Sequence, residues 1–431
     1  MATAPMRWEQ LLSDRRLRDK PRPPSPEPRN EFERDYDRIL FSKPFRRLMD
    51  KTQVFPMPEN DHVHNRLIHS LEVASVGRSM GRLVERSMSR DHAGQVGDKI
   101  GDVVASACLM HDLGNPPFGH SGEDAIASWF ARPSNNALLA GLSEVEHADL
   151  CKFEGNAQSF RIVSRLNMRK DDGGMRLTLA VLAAAAKYPG GVLDKHHKKF
   201  NYFSSDAELF AEVAKGVGLL ELGPGAWVRH PLAFLVEAAD DLCYHIMDFE
   251  DGFILGLIDE RTAREQLAKL CGKPEWADPK YTVSFLRAMA ISEVVKQLAA
   301  AFCAHEEQLL AGELREPLTN LIEARAALDD IQKLSIERCY RAEQVLRVEL
   351  AGYEVLGGLL DFLVPAVLAG KRSSRQKKLL ALLGLHSDTQ RTPYQRILEV
   401  TDFLSALTDR SAVRLYRELK GTELAGARGV G

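Results

Sequence analysis

Helical spacing of apolar residues runs along most of this chain, and strand-like alternation is scarce, so the chain can fold into little but α-helices. Leu67, Leu71, Val76, Met80 and Val84 fall near a period of about 3.6 residues. Residues 102–113, DVVASACLMHDL, predict an apolar helix stopped by Gly114 and the following Asn-Pro-Pro. Residues 175–187 are rich in Ala and Leu. Residues 231–250 start at Pro231, a favoured first-turn residue, and stay apolar for several turns. Residues 286–312, 320–352, 354–369 and 395–419 also carry the helical pattern. Val192–Phe203, with its Lys/His run, predicts a loop, and 171–174 a turn.

The expectation is an all-α protein: one large domain with short appendages. Residues 1–30 predict an extended or disordered arm, because PRPPSPEPRN (21–30) holds five prolines. Residues 31–260 predict the core of that domain, and 261–431 a helical C-terminal region packed on it. Within that region, GKRSSRQKK (370–378) reads as a solvated connector to a semi-separate end. Lys+Arg is 57 and Asp+Glu is 60, a net charge of −3, so no global basic excess marks an obligate nucleic-acid binder. Uninterrupted apolar stretches stay short of the roughly 20 residues that cross a bilayer, and Met1–Lys20 has no signal-type apolar run. The six cysteines are scattered without a CxxC pair, which predicts a reducing, cytoplasmic setting without disulfides.

The chemistry concentrates at His111-Asp112. An imidazole and a carboxylate at the end of an apolar helix are costly unless partnered. Alone, the pair reads as a hydrogen-bonded helix terminus. His69 on an upstream amphipathic helix and Asp240 on a downstream one change that reading. One His, then His-Asp, then Asp, on three helices, make a mixed nitrogen and oxygen ligand set. Such a set suits Mn, Fe, Ni or Zn, and Mg less well.

The order H…HD…D resembles the HD-domain phosphohydrolases. The surrounding text is similar to a narrower group, the deoxyguanosine triphosphate triphosphohydrolases. It comprises FRRLMDKTQVFP (45–56), HNRLIHSLEVA (64–74), HDLGNPPFGHSGEDAI (111–126), FEGNAQSFRI (153–162), AAAAKYP (183–189), EAADDLCYHIMDFED (237–251) and YQRILEVTDFLSALTD (394–409). These blocks occur in order and span most of residues 31–419. The resemblance implies an HD-type helical fold with added helices and a divalent metal, Mg, Mn or another transition metal such as Fe, Ni or Zn.

It also implies roles for individual residues. The metal ligands fall on His69, His111, Asp112 and Asp240. Asp240 is preferred to Asp241 because the family places a Tyr four and an Asp eight residues later, which fits Tyr244 and Asp248; residues so spaced share a helix face. His120 is implied as the proton-transfer residue and Glu123 as its orienter. Arg66, Lys187 and Tyr188 are implied to meet phosphates, Asn115 a phosphate or the bound water, and Gln53 with Asp248 the sugar 3′-hydroxyl, with Tyr244 packed on the sugar. Without the resemblance, Tyr244 reads as a core aromatic, Glu123 as a first-turn acid and Lys187 as a solvated cation. The Lys195–Lys199 run reads as a solvated loop.

The implied activity is hydrolysis of dGTP or several dNTPs to deoxynucleoside and inorganic triphosphate. Implied partners are a nucleotide or single-stranded DNA effector and further copies of the chain, a hexamer being favoured. Two rival readings are another HD-type nucleotidase or phosphodiesterase, and a nucleotide-regulated nucleic-acid-binding protein with weak activity. Against the first, KYPGG is not the GYP segment of cyclic-dinucleotide phosphodiesterases, and HDLGNPPF lacks the acidic pair of ppGpp hydrolases. Against the second, the ligand set is intact.

Overall fold

The computed structural model describes residues 4–18, 28–55, 63–88, 92, 94, 96–166, 173–385 and 390–423. Among them the fold is helical apart from one antiparallel hairpin, β1 Glu221–Gly223 and β2 Ala226–Trp227, with Glu221 opposite Trp227. Twelve helices matter for the site. They are α1 Glu31–Leu40, α2 Arg66–Ser87, α3 Ile100–Met110, α4 Gly119–Phe130, α5 Gly155–Arg161, α6 Leu179–Ala184, α7 Pro231–Ile254, α8 Val283–Ala304, α9 Arg325–Ser335, α10 Glu343–Leu368, α11 Pro393–Ser405 and α12 Asp409–Lys420.

The centre of the fold is the α2–α3 pair. Asn65 caps α2 by accepting from the amides of Leu67 and Ile68 at 3.1 and 3.0 Å. The two helices meet backbone to backbone: a Cβ on Gly81 would lie 2.6 Å from Gly101 Cα. Helix α7 packs on both, α8 packs on α2 and α1 covers α3. Val73, Met80, Val104, Leu109, Leu235 and Ile246 are buried in this cluster. A second apolar cluster joins α4 to α10, α11 and α12 through Ile126, Trp129, Leu356, Leu360, Ile397 and Leu404. The loop from His111 to Phe118 runs from the first cluster to the second.

Four features differ from the sequence expectations. Residues 4–18 are not an extended arm. Trp8 is 1% exposed, and Leu11, Leu12 and Leu17 are buried with it, because their apolar area outweighs the cost of ordering a short segment. The proline-rich stretch is described only at 28–30; its residues 21–27 lie outside the described residues, as do 171 and 172 of the expected turn. Within 175–187 the helix covers only Leu179–Ala184, capped by Thr178.

The helical pattern of 320–352 breaks at Arg341–Ala342, after a wide turn at Ile336–Tyr340, and a new helix runs through Glu343–Leu368. That break carries Tyr340 into the site described below. The C-terminal helices are not semi-separate, since α11 and α12 lie on α10 and reach the His111–Phe118 loop. Helix α10 is long and apolar enough to cross a membrane by length and composition, with a mean hydropathy of 1.5 over its most apolar window. It builds the second core instead: Leu356, Leu359, Leu360 and Leu363 are fully buried.

The N-terminal segment is held by a buried histidine. His230, at the start of α7, accepts from Leu232 N with Nδ1 at 3.1 Å, and its Nε2–H donates to Leu11 O at 3.1 Å. Burial pushes its pKa down to about 4, against an ordinary value of 6.5. Between these values the unfolded chain binds a proton that the folded chain refuses, so stability falls as pH drops from 6.5 to 4. The loss amounts to about 3 kcal/mol. His230→Asn keeps the cap on Leu232 and removes the titration. Melting temperatures of wild type and variant should converge toward pH 4, the wild type showing the steeper decline; parallel curves would contradict this.

Candidate metal centre and nucleotide cavity

Three helices deliver the predicted ligands. His69 sits in the first turn of α2, His111 directly follows α3 and Asp240 lies mid-way along α7. His69 Nε2 is 3.1 Å from Asp240 Oδ1, and His111 Nε2 is 3.5 Å from the same oxygen. The two imidazole rings stand edge to face with centroids 5.5 Å apart. His111 Nδ1–H donates to Cys108 O at 2.6 Å, which turns Nε2 toward Asp240.

One nitrogen each from His69 and His111 and one oxygen from Asp240 lie within 4.8 Å of one another. Donors about 2.1 Å from one ion lie within about 4.2 Å of each other, a limit that the 3.1 and 3.5 Å separations of the two histidines from Asp240 meet, and two imidazoles with a carboxylate suit a transition metal. The charges agree with this. Burial alone would raise Asp240, but His111 and His69 hold its carboxyl well below the usual range. Burial alone would lower His111, but Asp112 and Asp240 lift it to about 9.

Asp112 stands at the edge of this cluster. Its Oδ1 is 3.5 Å from His111 Nε2 and accepts from Asn115 Nδ2, while Oδ2 accepts from Arg66 Nη1 at 2.6 Å. Burial opposes ionisation, yet Arg66 and the two histidines hold its pKa at about 2. Arg66 and Asn115 therefore orient a prospective ligand in this state.

Next to the cluster lies a cavity of about 270 Å³. Gln53, Arg66, Gly119, His120, Tyr244 and Tyr340 are among its lining residues. Arg66 thus joins the metal centre to the cavity. Gly119, at φ 58°, is required here twice over: a Cβ would meet Arg66 Nη2 at 2.5 Å, and the left-handed backbone disfavours a side chain.

His120 presents its ring to the cleft. Partial desolvation by the walls, reinforced by the Arg66 and Lys199 cations, lowers its pKa. No hydrogen bond joins it to Glu123 among the described residues. Glu123 Oε1 instead accepts from Gly155 N at 2.8 Å, and Oε2 is 3.9 Å from Lys199 Nζ. Burial, aided by Glu154, pushes the Glu123 carboxyl up to about 7.

Asp248 is behind the cavity wall. Its Oδ2 accepts from the Tyr340 hydroxyl at 3.1 Å, and Tyr340 stacks on Tyr244 at 5.5 Å. Among the described residues, Gln53 Oε1 and Asp248 Oδ1 are buried without a hydrogen-bond partner, and burial pushes the Asp248 carboxyl well above the usual range, which leaves capacity for a ligand hydroxyl. Lys187 and Tyr188 do not line this cavity. Lys187 Nζ pairs with Glu237 Oε1 at 3.4 Å, one turn before Asp240 on α7, and Tyr188 N–H donates to Asn201 Oδ1 at 3.2 Å.

Two features escaped the sequence reading. Lys199 is not simply part of a solvated run; its Nζ is 3.0 Å from Glu154 Oε2. Tyr340 carried no signal beyond being an aromatic in a helical stretch.

Comparison with known proteins agrees with this geometry. The HD-domain family model matches residues 66–158, which include His69, His111 and Asp112. A deoxyguanosinetriphosphate triphosphohydrolase-like protein of Synechocystis is 41% identical over 444 residues, covering 97% of this chain and 100% of that protein. This chain belongs to that family. A protein of the same description from Pseudomonas aeruginosa is 37% identical, covering 96% of this chain and 99% of its own length. The deoxyguanosinetriphosphate triphosphohydrolase of Salmonella typhimurium is 30% identical, covering 91% and 94%. Family membership and the all-α fold thus agree with the resemblance seen in the motifs.

Proposed function

We propose that this protein hydrolyses deoxynucleoside triphosphates at the α-phosphorus, releasing deoxynucleoside and inorganic triphosphate. The observation that carries this reading is Arg66. It holds Asp112 beside the His69–His111–Asp240 set and also lines the adjoining cavity with Gln53, His120 and Tyr244.

His69, His111, Asp112 and Asp240 would hold a divalent ion, which when bound supplies Lewis-acid polarisation of a phosphoryl oxygen and a water of lowered pKa. The chain does the rest. Tyr244, stacked on Tyr340, forms the wall against which the deoxyribose packs. Gln53 Oε1 accepts from the 3′-hydroxyl, and the Asp248 carboxyl, which burial keeps protonated, donates from Oδ1 to that hydroxyl's oxygen. Arg66, with Asn115 and Lys187, meets the phosphates. His120 protonates the departing 5′-oxygen; the triphosphate offsets the Arg66 and Lys199 cations that depress its pKa, so binding raises its proton affinity. Glu123, through Gly155 and Lys199, supports that wall.

A closed homo-oligomer, a hexamer in this reading, is supported by exposed Phe285, Ile336, Leu346 and Leu350 on and beside α8–α10. A nucleotide or single-stranded DNA effector and a cytoplasmic setting complete the reading; all six cysteines are free. Product analysis of each dNTP with Mg, Mn, Fe, Ni and Zn tests it. Deoxynucleoside and triphosphate are expected in equal amounts from at least dGTP; dGDP or dGMP as first product would overturn it.

A further inference from the structure

The C-terminal block YQRILEVTDFLSALTD has no role in the reading above, yet its last residue touches both walls of the cavity. Asp409, the first residue of α12, is 2% exposed. Its Oδ2 accepts from Thr52 N at 2.9 Å and from Thr52 Oγ1. Its Oδ1 accepts from Phe118 N at 3.0 Å. Thr52 and Gln53 line one side of the cavity; Phe118, Gly119 and His120 line the other. Phe118 is held at φ 66°, a left-handed conformation that a bulky side chain resists, so its amide needs a fixed partner. Beside it, buried Lys51 donates from Nζ to Asn115 O at 2.5 Å and to Ser405 O, at the end of α11, at 2.7 Å. The α11–α12 corner is thus tied by three bonds to the segment that carries Gln53 and by one to the loop that leads into His120, and Lys51 ties that segment to the same loop at Asn115.

We propose that Asp409 is a positioning residue: one carboxylate that sets the separation between the Gln53 wall and the His120 loop, with Lys51 as its companion brace. The two oxygens serve different walls, so the kinetic consequences separate. The Oδ2 bonds to Thr52 govern substrate fit, and the Oδ1 bond to Phe118 governs the approach of His120. A misplacement of about 1 Å at a reacting group costs on the order of a hundredfold, so even a partial release is measurable. The assignment of walls rests on the dNTP reading of the cavity; the bonds of Asp409 do not.

Asp409→Asn keeps the side-chain size and removes one acceptor. It should raise the KM for dGTP and lower kcat, each by about tenfold, the scale of a lost hydrogen bond to a charged group. Metal content should stay at the wild-type level. Thr52→Ala removes only the hydroxyl bond and should raise KM with kcat nearly unchanged, whereas Thr52→Ser should restore wild-type behaviour. Hydrogen–deuterium exchange on the same samples should show faster exchange at whichever of the Thr52 and Phe118 amides faces the new NH2 group in Asp409→Asn, with α11 unchanged. Unaltered KM and kcat in Asp409→Asn would overturn the proposal. So would a kcat loss in Thr52→Ala equal to its KM change. If wild type does not turn over dGTP, the function reading fails and exchange alone decides: unchanged protection at both amides overturns the clamp.

Discussion

His111→Ala is expected to lose the bound metal and to lower turnover by at least about a hundredfold, since even partners behind a metal ligand are worth about 10- to 100-fold. His111 provides one of the three donors gathered within 4.8 Å, and its Nε2 faces Asp240. Asp112→Asn should behave differently. It leaves Arg66 buried without its carboxylate, so the melting temperature should fall along with metal affinity. Metal analysis of wild type and both variants, beside thermal melts, checks this. Equal metal content in wild type and His111→Ala would remove the metal assignment.

His120→Ala should keep the metal and the nucleotide yet lose turnover by about 10²- to 10⁴-fold, the usual contribution of a general acid–base group. The ring lines the cavity and makes no hydrogen bond among the described residues, so its removal breaks no contact that holds the fold. Glu123→Gln should lose less, because Glu123 acts through Gly155 N and Lys199 rather than on the reacting oxygen. Turnover, nucleotide affinity, metal content and melting temperature measured together separate the two views. Near-wild-type turnover in His120→Ala would end the catalytic assignment, and joint loss of metal and melting temperature would make His120 a structural residue.

What could be read in the sequence follows from the range of each physical signal. Helices α2, α3 and α7 carry apolar residues at helical spacing over several turns, so their existence and the positions of His69, His111 and Asp240 on or directly after them were legible. The motifs also foreshadowed the meeting of Gln53, Arg66, His120 and Tyr244 around one cavity. The packing of Trp8 was hidden, because the helix that carries it, Trp8–Leu11, is too short to have a period to read. Tyr340 was hidden because it enters the site through a break inside an otherwise helical pattern. Lys199 looked like one charge in a basic run, and only the fold brings Glu154 and Glu123 to it. Asp409 lies 357 residues from Thr52, a pairing that no local pattern announces.

The central claim is attack at the α-phosphorus with departure of the nucleoside, and one measurement bears on it most directly. Hydrolysis of dGTP in ¹⁸O-labelled water, with both products examined by mass spectrometry, locates the broken bond. The account predicts one ¹⁸O atom in the inorganic triphosphate and none in the deoxyguanosine. Label in the deoxyguanosine 5′-hydroxyl, or in pyrophosphate or orthophosphate released beside a deoxynucleotide, would contradict it.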